Sequence, residues 1–143
     1  MSSCSNFIIN TFFWHSGQLR IEDEEAQVIG WMSENIPKES TILSEKPVNS
    51  HFSRGLGSMT NCHIHYFYNV FPSSLFSDGI DFDNLDEIFD FIFDKKINYF
   101  VHNLDFDIVL SNGTRFIEDW LIPNFYNVFL YEYGGLTVYY ASF

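Results

Sequence analysis

The histidines give the chain its first candidate chemistry. His63-Ile64-His65 is their one short-range pairing, and residues two apart share a face if the segment is a strand. Paired imidazoles can present nitrogen to a metal. A metal-dependent hydrolase built on His63 and His65 would draw its third ligand from His51, His102 or an Asp. A bare His-x-His match also arises by chance, so surface or hydrogen-bonded histidines are the default reading.

Other signals for chemistry are weaker. The acidic run Asp78-Gly79-Ile80-Asp81-Phe82-Asp83-Asn84 has calcium-loop composition. However, Leu85 stands where that loop needs Asp or Asn, and the glycine is misplaced, so the acids read as helix-capping groups. The chain has no Gly-x-Ser-x-Gly elbow, and nothing near Ser58 would activate it. Gly55-Leu56-Gly57 lacks the third glycine and the preceding strand of a dinucleotide site, and reads as a turn. No catalytic residue and no cofactor is assigned.

Position along the fold points to a different set. In an open parallel sheet, ligands bind beyond the carboxyl ends of the strands. Those ends are Ser44-Glu45-Lys46 and His102-Asn103, which makes Glu45, Lys46 and His102 ligand-binding candidates. Arg54 joins them as a guanidinium able to pair with a carboxylate or phosphate, although a salt bridge to one of many acids is its plainer role. Asn112-Gly113-Thr114 is a glycosylation acceptor triplet, meaningful only on a domain that faces outside.

The elements that hold these residues follow from periodicity. Ile21 to Glu34 reads as a helix, acidic at its start and apolar at Val28, Ile29, Trp31 and Met32; Pro37 limits it. Thr41-Ile42-Leu43-Ser44 is a short strand. A helix is expected over Asn49 to Leu56, and His63 to Val70 is a strand or a packed loop. Leu85, Ile88, Phe89, Ile92 and Phe93 form the stripe of a helix over Asn84 to Lys95. A strand over Ile97 to His102 follows it. Leu104 to Leu110 partly alternates. Arg115 to Leu121 reads as a helix stopped by Pro123, and Gly134-Gly135 joins two strands in a hairpin.

The pattern predicts an α/β fold. It is a small layered domain with a mostly parallel central sheet, flanking helices and a C-terminal antiparallel hairpin. The strands near 42 and 99 should be parallel neighbours. No linker or repeat divides the chain, so residues 1–143 form one domain, with 1–20 as a peripheral N-terminal segment.

Composition bounds the partners. A net charge of −12 repels phosphate backbones and anionic headgroups, and the longest basic run is Lys95-Lys96, so nucleic acid is excluded as a partner. No run of ~18 apolar residues spans a membrane, and residues 1–5 lack the features of a signal peptide. Cys4 and Cys62 have no ligand spacing; one disulfide between them is an open alternative, and the default reading is two free thiols, with Cys62 buried. Aromatic residues make up 20% of the chain; exposed in a patch, they would mark an independent protein-interaction domain.

Three stretches carry a resemblance. They are Trp31 followed by Asn35-Ile36-Pro37-Lys38-Glu39-Ser40-Thr41-Ile42-Leu43-Ser44, then Lys95-Lys96-Ile97-Asn98-Tyr99-Phe100-Val101, and finally Ile122-Pro123-Asn124-Phe125-Tyr126-Asn127-Val128 with Gly135-Leu136-Thr137-Val138-Tyr139-Tyr140. In this order they resemble the C-terminal soluble domains of archaeal membrane glycosyltransferases of the GT-C superfamily, the protein mannosyltransferases and oligosaccharyltransferases. The resemblance covers roughly residues 20 to 141. It implies an extracytoplasmic accessory or substrate-guiding domain without catalysis of its own, since the catalytic aspartates of those families lie in their transmembrane part. Implied partners are a polytopic membrane protein and a glycan or lipid-linked sugar. Glu45-Lys46-Pro47-Val48-Asn49 stands where oligosaccharyltransferases carry Trp-Trp-Asp-Tyr-Gly, so recognition of an acceptor sequon is not implied. The aromatic stretch Phe7 to Trp14 would fit the end of a last membrane helix or its loop.

Overall fold

The computed structural model describes residues 23–76 and 82–142. Helix α1 spans Asp23–Asn35, and strand β1 is Thr41–Ser44. Helix α2, His51–Thr60, leads to β2, His63–Tyr66, which runs directly into one helical turn, α3, Phe67–Val70. A short 3₁₀ turn covers Ser73–Phe76. Helix α4, Phe82–Lys95, precedes β3, Tyr99–Asn103. A π-helix spans Phe116–Leu121, followed by the turn α5, Ile122–Asn124. Strands β4, Val128–Tyr133, and β5, Leu136–Tyr140, close the chain.

Local chemistry explains the boundaries. Ser50 starts α2 by accepting the amide of Ser53 on its hydroxyl, and Asn61 ends it in the left-handed conformation at φ 55°. Between β4 and β5, Gly134 and Gly135 have φ of 57° and 89°, the double positive that a two-residue hairpin turn requires.

The five strands lie in the order β2-β1-β3-β5-β4. β1 pairs in parallel with β2 and with β3, while β5 is antiparallel to both β3 and β4. The expected parallel pairing of the strands near 42 and 99 is present, as is the terminal hairpin. The sheet as a whole is mixed rather than mostly parallel, because β5 and β4 extend it antiparallel beyond β3.

Strand alternation sorts side chains into two cores. Ile42, Val101 and Val138 face α1 and α2, packing with Val28, Ile29, Met32 and Leu56. Leu43 and Phe100 face the other way, toward Phe67, Phe71, Ile92, Phe116 and Tyr126. Helices therefore cover both faces. The second core is aromatic. Phe67 and Phe71 stack at 5.0 Å, and Tyr126 is fully buried with its hydroxyl donating to Ile97 O at 2.8 Å. That burial pushes the Tyr126 phenol far above its ordinary range.

Some expectations need correction. Phe93 is 57% exposed and leaves the α4 stripe, which is carried by Leu85 and Ile92. Pro123 does not stop the helical segment: it lies at the start of α5, where its missing N–H costs nothing. The alternating stretch 104–110 forms no strand beyond a single bridge, Val109 to Arg115, because side-chain oxygens hold its amides. Cys62 has no disulfide partner among the described residues, and it is half-buried rather than buried. Cys4, the Phe7 to Trp14 stretch and residues 78–81 lie outside the described residues.

Candidate functional site

The parallel register of β1 and β3 builds the site. Ile42 stands beside Tyr99, Leu43 beside Phe100 and Ser44 beside Val101, a constant offset. The next step in that register brings Glu45 against His102, on the aromatic face. β1 continues through α2 to β2 on one side, while the chain after β3 ends at β5 and β4 on the other. Glu45 and His102 thus stand where neighbouring strands lead the chain in opposite directions, the crevice in which open α/β sheets receive ligands.

His102 is fully buried, and both of its ring nitrogens are taken. Nδ1 lies 2.5 Å from Glu45 Oε2, and Nε2 lies 2.7 Å from Glu118 Oε2. Glu45 Oε1 accepts the backbone amide of Asn103 at 2.8 Å. The imidazole stacks on Phe100 at 5.6 Å, and Thr137 donates its hydroxyl to His102 O. Two bonds to carboxylates need a donor on each nitrogen, so the arrangement suits imidazolium. Burial alone pulls the His102 pKa down. The hydrogen bonds and charges of Glu45 and Glu118 outweigh it, and the net direction is up. Glu45 is raised as well, chiefly by burial and further by the charge of Asp107, against the opposing pull of His102 and the Asn103 amide.

Asp107 completes the cluster from below. One of its oxygens accepts the amides of Ile108 and Ile117, and the other accepts that of Glu118. It thereby caps the π-helix and sets Glu118 against His102. One ligand atom from each of His102, Asp107 and Glu118 fits within 4.8 Å of the others. π-Helical turns are rare and often mark functional sites.

Lys46 sits beside the cluster. Its ammonium lies 3.6 Å from Glu25, and its backbone is pinned by the hydroxyls of Ser44 and Ser53. A cavity of about 20 Å³ opens here among Glu45, Lys46, Phe52, Val101, Asn103 and Leu136. At the opposite end of the sheet a larger cavity, about 290 Å³, is bordered by Glu39, Thr41, Lys96, Asn98, Tyr99 and Tyr140.

Of the residues singled out in the sequence, the structure brings Glu45 and His102 together, with Lys46 alongside. Arg54 bonds instead to His51 Nδ1 one turn back on α2, at 3.1 Å. His63 and His65 share a face of β2 as the alternation implied. His63 is exposed, and His65 packs edge-on against Phe91, its pKa lowered by burial and by the neighbouring charges of His63 and Lys95. Neither belongs to a metal-competent group among the described residues. Asn112 lies on an exposed turn, its side chain accepting the amide of Thr114.

Asp107 and Glu118 are missing from the sequence reading. Glu118 carries no motif, and Asp107 sits in a segment whose alternation suggests a strand. Only the constant offset between β1 and β3 could have paired Glu45 with His102 in advance.

No family model, curated protein or solved structure matches the chain. Among the described residues no helix is long and apolar enough to cross a membrane.

Proposed function

We propose that the chain is a non-catalytic accessory or substrate-guiding domain of the kind carried by membrane glycosyltransferases. It acts on the extracytoplasmic side, and the carboxyl ends of β1 and β3 meet the glycan or lipid-linked sugar. The observation that carries this reading is the closed state of the Glu45–His102–Glu118 cluster. It stands in the ligand crevice, yet both imidazole nitrogens are committed to carboxylates, and the cavity beside it is about the size of one water. Such a cluster braces the rim of a binding face; its imidazole is not left free to act as a base. The link to glycosyltransferases rests on the resemblance of the stretches around 31–44, 95–101 and 122–140.

Lysines at the two ends of the sheet make the reading testable. Lys46 stands at the carboxyl end, and Lys95 and Lys96 stand at the other. Amine-reactive crosslinking of the full chain in membranes of its own cells, read by mass spectrometry, should join Lys46 to a polytopic glycosyltransferase. Crosslinks to soluble proteins alone would overturn the proposal.

One observation favours a second reading, an independent interaction domain. β4 is an edge strand, and Val128, Phe129 and Tyr133 on it are 38%, 58% and 46% exposed. An open apolar edge can accept a partner's strand. Hydrogen-exchange protection of residues 128–133 by a soluble partner would support this reading over the first.

A further inference from the structure

We propose that His102, Asp107 and Glu118 bind one divalent transition-metal cation, with Glu45 behind the imidazole as its orienting partner. The inference goes beyond the guiding-domain reading and stands or falls without it.

Charge balance is the first argument. Glu45, Asp107 and Glu118 converge on a single imidazole. Among the described residues no Lys or Arg reaches them: Lys46 pairs with Glu25, and Arg115 pairs with Asp119. With the imidazole protonated, three carboxylates still leave two negative charges in excess. A divalent cation on neutral His102 leaves one. An uncompensated partly buried anionic cluster is costly, and a cation relieves it.

Donor chemistry is the second. Imidazole with carboxylates suits zinc and its first-row neighbours. A ligating histidine normally gives its other N–H to a carboxylate, which fixes the tautomer and aims the free nitrogen. Glu45 does this for His102: it is itself held by the Asn103 amide, so Nε2 points at Glu118.

Geometry is the third. Ligand atoms around a tetrahedral zinc lie roughly 3.3 Å apart. Nε2 and Glu118 Oε2 are 2.7 Å apart, so Glu118 must withdraw by a fraction of an ångström. Its side chain is 23% exposed and has room to do so, which also provides the path of entry. Asp107 accepts two amides on one oxygen and only one on the other, which leaves a lone pair for a metal.

Isothermal titration of the full chain with Zn²⁺, and separately with Mn²⁺, tests the site. We expect one Zn²⁺ per chain. Glu118→Gln should weaken binding at least tenfold. Glu45→Gln should weaken it about 10- to 100-fold, the usual cost of losing an orienting carboxylate. The double variant His63→Ala/His65→Ala should bind as the unaltered chain does. Independently of any variant, Zn²⁺ should shift the side-chain ¹⁵N resonances of His102. Absence of binding by both metals at micromolar concentration would overturn the proposal. So would binding that disappears with His63 and His65, or zinc that leaves the His102 resonances unmoved.

Discussion

The two ends of the sheet contrast sharply. At the amino end of β1 and β3 there is space, about 290 Å³, but the groups around it are a dispersed set of hydroxyls, an amide and single charges. At the carboxyl end there is almost no space, yet three carboxylates gather on a buried imidazole. Cavity size and chemical content therefore need not coincide. Parallel pairing explains it. Register carries Glu45 and His102 inward as the continuation of two core rows, Leu43 beside Phe100, whereas the amino ends open onto turns. Lys96 and Glu39 there adopt left-handed φ of 52° and 66°.

If the carboxyl end is the tightly determined one, single changes there should cost most. His102→Ala should be the severest. It leaves Glu45, whose side chain is 7% exposed, with the Asn103 amide but without its imidazole partner, at a cost of about 3–5 kcal/mol. Urea unfolding measures this, and a loss under about 1 kcal/mol would mean that the cluster is not structurally coupled. Gly134→Ala comes next, on the hairpin that seats β5 against the end of β3. An alanine there meets a φ of 57°, and its Cβ would lie 2.1 Å from Glu24 Cγ. Glu24 Cβ is also within 2.9 Å and does not move by side-chain rotation, so a shift of α1 adds to the cost of the left-handed backbone, about 1–2 kcal/mol, visible as a lowered melting temperature.

At the amino end the effects should shrink. Asn98→Ala removes one bond, to Ala141 O at 2.8 Å, and should cost about 0.5–1.5 kcal/mol in the same unfolding assay. A cost equal to that of His102→Ala would erase the contrast between the ends. Lys46→Ala, at the carboxyl end but outside the cluster, should be the mildest, about 0–1 kcal/mol, because its side chain is 49% exposed and its pair with Glu25 spans 3.6 Å. The same variant removes the crosslinking handle at the carboxyl end, so its stability checks that the handle itself is not structural.

The sequence disclosed the frame better than the site. β1 was legible residue for residue, and the helices preceding β1 and β3 were legible to within two residues, because apolar periodicity and end signals agree there. The Gly134-Gly135 turn was legible because only glycine takes two successive positive φ values cheaply. Glu45 and His102 were reachable from the rule that ligands gather at strand ends. The segment from Leu104 to Leu110 was not. Its partial alternation gives no strand beyond one bridge, because Asp107 draws the amides of Ile108, Ile117 and Glu118 to its own carboxylate; the helix over Arg115 to Leu121 was legible as an element, but not as the π-helix Phe116–Leu121. That is a side-chain decision about backbone bonds, and periodicity does not register it. The bond from Arg54 to His51 on its own helix was not legible either, a local contact that a search for distant anions overlooks.

The carboxyl end of the sheet gathers its ionisable groups around His102. The most direct test is an anomalous difference map from crystals of the full chain grown with Zn²⁺, recorded at the zinc edge. The account predicts a single dominant peak within coordination distance of His102 Nε2 and of oxygens from Asp107 and Glu118, with Glu45 still on Nδ1. A dominant peak on His63 and His65, or an unaltered His102–Glu118 contact with no peak beside it, would contradict it.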